Sequence, residues 1–233
     1  MKVYMDISKN FSILQKKYKE DTYVVVRPFL NKEICEKLTN FLDTMDKTWW
    51  YHSSMTDEGK KEIRRLPENL ATIKKRRGEA LKLFSTETFS YSFDRTIGNH
   101  YSTCKCELCS FDKNVIKSDE FCNYIEKVTS QTGLKLGTYF YTRYNAGDFL
   151  YPHTDSPNGK VALVLHLTRD WKPWYGGNLC LLGNKWLSIR KTFVPQYNSL
   201  MIMNIVDKKN PHFVEYIPES VIKPRYAMVC WFE

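Results

Sequence analysis

The chain has 233 residues, 42% of them hydrophobic and 15% aromatic, enough to bury a core and too apolar for wholesale disorder. Lys and Arg outnumber Asp and Glu by 35 to 26, giving +9. That surplus serves solubility or favours acidic partners: nucleic acid, an anionic surface or a carboxylate-bearing substrate. No apolar run reaches the ~18 residues of a membrane span, and MKVYMDISKNF has no signal-peptide core. Seven cysteines, three of them clustered, are an odd number and do not form a secreted disulfide framework. The expected setting is the reducing cytoplasm.

Residues 23–29, YVVVRPF, read as a β-branched strand closed by Pro28. Asn31 then caps an amphipathic helix, with Ile34, Leu38, Phe41 and Leu42 on one face. Residues 56–85 carry Lys60, Lys61, Arg64, Arg65 and the run Lys74 to Arg77, threaded by Ile63, Leu66, Leu70, Ile73, Leu81 and Leu83. They are expected to form solvated helix faces; a face that binds anions or nucleic acid is the sharper reading.

In HYSTCKCELC, His100, Cys104, Cys106 and Cys109 fall within ten positions. Such a set has the donors for a structural tetrahedral zinc, with Cys122 able to replace His100. Simple reduced thiols are the plainer reading. From residue 134 the rhythm changes. LGTYFYTRY, VALVLHL, NLCLL, SLMIMNI, HFVEYI and YAMVCWF alternate with Gly, Asn and Pro turn signals, the spacing of an all-β sandwich or barrel. The expected layout is a single domain over 1–233. A helix-rich N-terminal portion, 1–133, carries the Cys cluster, and 134–233 form the β core.

His153 and Asp155 follow a predicted strand and precede the turn Ser156-Pro157-Asn158-Gly159. Side chains two apart on extended chain share a face, so both could reach one metal. His212, after Lys209-Asn210-Pro211, would complete a two-histidine, one-carboxylate facial triad, a set suited to Fe(II) with open positions left over. Arg225, thirteen positions on, could hold a carboxylate by two parallel hydrogen bonds. Together these point to oxygen activation with 2-oxoglutarate. Each residue alone has a plainer reading as a polar turn or strand end.

YTRYNAGDFLYPHTDSPNG, LHLTRDWKPWYGGNL, VPQYNSLMIMNIVDKKNPHFVEY and KPRYAMVCWF, spanning about 138–232, resemble the catalytic core of the Fe(II)/2-oxoglutarate-dependent dioxygenases. They are most similar to the prolyl-hydroxylase branch, including the oxygen-sensing hydroxylases of hypoxia-inducible factor. The resemblance implies a double-stranded β-helix, or jelly roll, flanked by helices. It implies His153, Asp155 and His212 as iron ligands and Arg225 as partner of the distal 2-oxoglutarate carboxylate. It also implies that Tyr144 lines the cosubstrate pocket, that His166 stands where the oxygen sensors carry a tyrosine, and that Trp231 is an aromatic near the iron. Gly176 and Gly177 need no more than turn chemistry.

The implied activity is hydroxylation of an unactivated C–H in an amino-acid side chain, free or peptidyl. Fe(II), 2-oxoglutarate and O2 would be required, ascorbate would be supportive, and succinate and CO2 would be the co-products. Related halogenases replace the carboxylate ligand by a small residue to admit chloride; Asp155 keeps it, so hydroxylation is expected. The sequence ends at Glu233, directly after the last strand, which leaves any peptide grip to the N-terminal half and favours a small substrate.

A nucleic-acid demethylase of the same chemistry would use residues 60–77 as a phosphate-contacting face. The nucleic-acid repair branch, however, carries a second arginine where this chain has Trp231. Two non-enzymatic readings also fit parts of the sequence: a metal-binding jelly-roll module without catalysis, and a zinc-dependent interaction domain built on HYSTCKCELC.

Overall fold

The most apolar strands of this chain face packed layers on both sides, and that double coverage organises the molecule. The structure, a computed structural model, describes residues 10–96 and 104–233. The N-terminal portion contains α1 (Phe11–Asp21), β1 (Tyr23–Val26), α2 (Lys32–Thr44), β2 (Tyr51–Thr56), β3 (Gly59–Arg64), α3 (Leu70–Ser85), β4 (Tyr91–Thr96), α4 (Glu107–Phe111) and α5 (Asp119–Thr129). There follow β5 (Leu136–Tyr144), β6 (Phe149–His153), β7 (Val161–His166), β8 (Leu179–Leu182), β9 (Ile189–Phe193), β10 (Ser199–Asn204), β11 (His212–Val214) and β12 (Arg225–Phe232).

The twelve strands of the described residues belong to one curled antiparallel sheet, ordered β1-β10-β7-β12-β5-β4-β6-β11-β8-β9, with the β2–β3 hairpin attached to β4. This is a jelly-roll core flanked by helices. Strand β4 pairs with both β5 and β6, so the N-terminal portion supplies the join between the two halves of the curled sheet.

Period-two alternation divides the side chains between the two faces. On β12, Tyr226, Met228, Cys230 and Phe232 join the large core beneath the helices, together with Leu163 and Leu165 of β7 and Leu200 and Ile202 of β10. The alternate residues Ala227, Ala162, Val164, Met201 and Met203 face inward and form a second cluster with Leu179 and Leu181. Leu38 and Leu42 of α2, and Phe121, Ile125 and Val128 of α5, cover the outer core. Asn31 caps α2 by accepting from the Glu33 N–H at 3.0 Å, and Ser118 caps α5 by accepting from the Phe121 N–H at 3.1 Å.

The charged segment 56–85 is not helical throughout. Its first part is the hairpin strand β3, with exposure alternating along Gly59–Arg64; its second part is α3. The β2–β3 pairing with β4 satisfies the backbone here, so a short charged run takes the strand state that its neighbour dictates. Two of its arginines also point inward. Arg65 contacts Asp94 at 3.1 Å, and Arg77 contacts Asp148 at 3.0 Å.

Asp94 and Asp148 are both fully buried. Asp94 accepts from Arg143 at 2.8 Å and from Asn145 at 2.9 Å, and lies 3.1 Å from His52 Nδ1. Asp148 accepts from Ser92 at 2.7 Å and from the Asn145 N–H at 2.8 Å, which fixes the turn into β6. Burial alone would raise the Asp94 carboxyl. The His52 hydrogen bond and the Arg143 and Arg65 charges outweigh it and hold the group well below the usual carboxylate range.

A depressed carboxyl stabilises the fold fully above its unfolded value of about 3.9, and the contribution fades as pH falls towards the folded value. Asp94→Asn strands two buried or half-buried guanidinium groups and should cost about 3–5 kcal/mol at neutral pH. Urea unfolding from pH 7 to pH 3 should show the gap from the native chain narrowing below about pH 4. A gap that is constant across this range would refute the assignment.

Candidate active site

Strand β11 pairs with β6 so that His212 stands opposite His153. This register sets the two imidazole centroids 4.3 Å apart. Asp155 follows β6 on the first turn of the Ser156–Asn158 segment. Its Oδ1 lies 3.3 Å from His153 Nε2, and its Oδ2 lies 3.7 Å from His212 Nε2. Ligand atoms of all three residues fall within 4.8 Å of one another.

Each imidazole is turned by the same device. His153 Nδ1 lies 2.9 Å from the Tyr151 carbonyl, and His212 Nδ1 lies 2.9 Å from the Asn210 carbonyl. A carbonyl only accepts, so Nδ1 carries a proton in both rings and Nε2 faces Asp155 and the space between them. Burial, and then the neighbouring His153, pull His212 down to about 4, which leaves it neutral and able to ligate. Burial works against charge on Asp155, but the His153 hydrogen bond and both imidazoles hold it down to about 2. The set is therefore two imidazoles and one carboxylate, the donor set of a ferrous facial triad.

These three residues share a cavity of about 70 Å³ with Tyr144, Arg225 and Trp231. Arg225, Ala227, Val229 and Trp231 alternate along β12, so all four line it. Arg225 is 2% exposed. Its guanidinium lies 5.0 Å from the Tyr144 ring centroid, and its Nε has no hydrogen-bond partner among the described residues. Burial pulls it down to about 10, so it stays charged at neutral pH. A buried cation without a carboxylate costs several kcal/mol. The donor set thus fits a metal, and the guanidinium fits an anion held in the same cavity.

Gly177 lies against this arginine. A Cβ there would come within 3.2 Å of Arg225 Cδ, and its φ is +64°. At Gly176, with φ +67°, a Cβ would collide with the Tyr216 carbonyl oxygen. The Gly-Gly pair therefore does more than turn the chain: it lets the backbone pass close to Tyr216 and Arg225.

His166 is not among the cavity-lining residues. It is buried at the end of β7, and its Nδ1 has no hydrogen-bond partner among the described residues. Burial, and then the nearby Arg225 charge, keep it neutral.

Sequence reasoning missed the wall contributed from the N-terminal portion. Phe93 of β4 lines the cavity, stacked on Tyr144 at 5.1 Å, and Phe89 lies 6.0 Å from the His153 ring. The signal was the spacing of Phe89, Tyr91 and Phe93, aromatic at every second position.

A second group of metal-type donors lies elsewhere. The sulfur atoms of Cys104, Cys106 and Cys109 fall within 4.8 Å of one another. Hydrogen bonds from the Cys106 backbone and from Cys109 lower Cys104, while burial pushes Cys106 up to about 12. His100 lies outside the described residues. Cys122 is not in the group; its thiol donates to the Leu134 carbonyl at 3.1 Å.

Residues 139–233 match the family model described as the 2OG-Fe(II) oxygenase superfamily. No curated protein matches the sequence. Among solved structures, one is a prolyl hydroxylase from Trichoplax adhaerens in complex with a peptide fragment of the hypoxia inducible factor oxygen degradation domain. It is similar with a TM-score of 0.61 at 16% identity, over 95% of this chain and 88% of that one. A Pseudomonas putida prolyl-4-hydroxylase is similar with a TM-score of 0.58 at 14% identity, over 100% and 96%. A Burkholderia pseudomallei oxidoreductase of the 2OG-Fe(II) oxygenase family is similar with a TM-score of 0.61 at 8% identity, over 97% and 91%. Residues 139–233 are therefore similar in sequence to the 2OG-Fe(II) oxygenase superfamily, and the chain has a fold shared with prolyl hydroxylases.

Proposed function

We propose that this chain is an Fe(II)/2-oxoglutarate-dependent dioxygenase that hydroxylates an unactivated C–H of an amino-acid side chain, free or peptidyl, with succinate and CO2 as co-products. The observation that carries this reading is the buried guanidinium of Arg225, with no carboxylate beside it among the described residues, in the same cavity as the His153, Asp155 and His212 donors. A metal site alone would not need that cation. A keto diacid that chelates with one end and projects a carboxylate from the other needs both.

In this reading His153, Asp155 and His212 would hold the iron, which supplies oxygen activation and the oxidative decarboxylation of 2-oxoglutarate when bound. The protein's part is to orient and to exclude water. The carbonyls of Tyr151 and Asn210 fix both imidazoles by their Nδ1 protons. Arg225 would seat the distal carboxylate, beside the Tyr144 ring. His166, neutral and buried near Arg225, would support that end of the cosubstrate. Leu150, Val164, Leu179 and Val214 give the cavity apolar walls, and Trp231 lines it together with Asp155. Asp155 would occupy the position that a halide otherwise takes.

The apolar ring of Phe89 beside His153, 40% exposed, gives a hydrocarbon side chain a surface to lie on at the mouth. The prolyl hydroxylases that share the fold make an amino-acid side chain the substrate class of choice. Among the described residues no helix is long and apolar enough to cross a membrane.

Incubation with Fe(II), ascorbate, 2-oxoglutarate and a panel of free amino acids and peptides should yield succinate and a product about 16 Da heavier, as expected for one inserted oxygen atom. His153→Ala and His212→Ala should each abolish iron-dependent succinate formation; full turnover in both would sink the reading.

Arg225→Gln should raise KM for 2-oxoglutarate at least tenfold, because truncating one partner of a buried charge pair costs about 2–5 kcal/mol. The same change removes a buried cation, so the melting temperature without cosubstrate should stay level or rise. Added 2-oxoglutarate should raise the melting temperature of the native chain and not that of the variant. An unchanged KM would show that Arg225 does not seat the cosubstrate.

A further inference from the structure

Among the described residues none of the seven cysteines is in a disulfide, and their surroundings differ. Cys35, Cys180 and Cys230 are fully buried, each at 0% exposure, and behave as small core residues. Cys122 spends its thiol on a backbone carbonyl. Cys104, Cys106 and Cys109 are different. Each is partly exposed, and the three sulfurs lie within 4.8 Å of one another. Cys106 Sγ and Cys109 Sγ are 3.4 Å apart. A tetrahedral zinc with Zn–S of ~2.3 Å holds its sulfurs ~3.8 Å apart, so closing this trio on an ion requires only side-chain adjustment.

The backbone that carries the trio is already fixed. Leu108 and Phe111, on the same turn, are 0% and 4% exposed in the main core, and the Ser110 N–H donates to the Cys106 carbonyl at 2.9 Å. Just beyond, the Asp112 carboxylate accepts from the hydroxyls of Tyr139 and Tyr141, at 3.1 and 2.6 Å. Both tyrosines belong to β5, the strand that also delivers Tyr144 to the cavity. The thiol-bearing segment is therefore anchored to the sheet before any ion binds, which lowers the ordering cost of ligation.

We infer that Cys104, Cys106 and Cys109 form a second metal site, distinct from the His153–Asp155–His212 group, which binds zinc through three thiolates and leaves the fourth tetrahedral position to water or another donor. Sulfur donors select zinc over the harder ferrous ion of an imidazole and carboxylate set. Binding is a ligand exchange without electron transfer: the thiol protons leave to solvent, and the sulfurs replace zinc-bound water. Its role is structural, clamping the 104–116 segment against β5.

The test uses the full chain, purified under reducing conditions and supplied with zinc alone. Elemental analysis after removal of iron should find about one zinc per chain, as one site requires, in both the native protein and His212→Ala. Cys106→Ser combined with Cys109→Ser should lose it, while its circular dichroism stays that of the native fold. Cobalt added to the native protein should give intense sulfur-to-cobalt charge-transfer absorption, a readout that needs no variant. The inference is overturned if the reduced native chain takes up no zinc, or if the cysteine double variant keeps its full equivalent. It is equally overturned if His212→Ala alone releases the ion, or if Cys106 and Cys109 form a disulfide whose reduction restores no zinc binding.

Discussion

A guanidinium buried with no carboxylate beside it among the described residues is the constraint around which this molecule is arranged. Arg225 is 2% exposed and carries its charge at neutral pH, whereas the inward-facing cations Arg65, Arg77 and Arg143 all meet a buried aspartate. Folding could have placed a counter-ion at Arg225 too. Instead the structure gives it an aromatic face, Tyr144, an uncharged imidazole nearby, His166, and an open cavity. Aromatic contact recovers part of the lost hydration and leaves the charge available. The fold therefore keeps a desolvated cation facing a cavity at the expense of stability, an arrangement that suits the anion proposed to bind there.

The means of reaching that geometry are ordinary. Double coverage of the central strands gives each a helix-facing row and a cavity-facing row. Arg225 and Trp231 share the inner row of β12 because they are six positions apart, a multiple of two. Opposite them, His153 and His212 become neighbours because β6 and β11 pair in one register; a slip by one residue would turn both imidazoles away. Asp148 helps to fix that register, since its contacts with Ser92 and Asn145 set where β6 begins.

The N-terminal portion is part of the same device. Strand β4 bridges β5 and β6, Phe93 walls the cavity, and the Asp94 cluster ties β2, β4 and β5 through His52 and Arg143. Two arginines of the charged segment are committed to these buried carboxylates, so they are not part of a solvated cationic face. The surplus of positive charge is a property of the remaining surface.

What the sequence determined by itself was the local chemistry and the periodicity. The β-rich rhythm after residue 134, the Asn31 cap, the His-x-Asp pair and the arginine at the head of the last strand all rest on near neighbours and on the two-residue repeat, both legible in one dimension. Strand β3 was hidden because a short charged run carries no preference strong enough to resist its sheet partner. The aromatic wall from Phe89 and Phe93 was hidden because nothing in a linear pattern says which distant strand will face His153 and Tyr144. Only the tertiary structure decided that His212 faces His153, that Arg225 has no acidic partner among the described residues, and that three thiols meet. Each of these is a matter of distance between segments far apart in the chain or turned sharply within it, and such distances are fixed by strand register and packing.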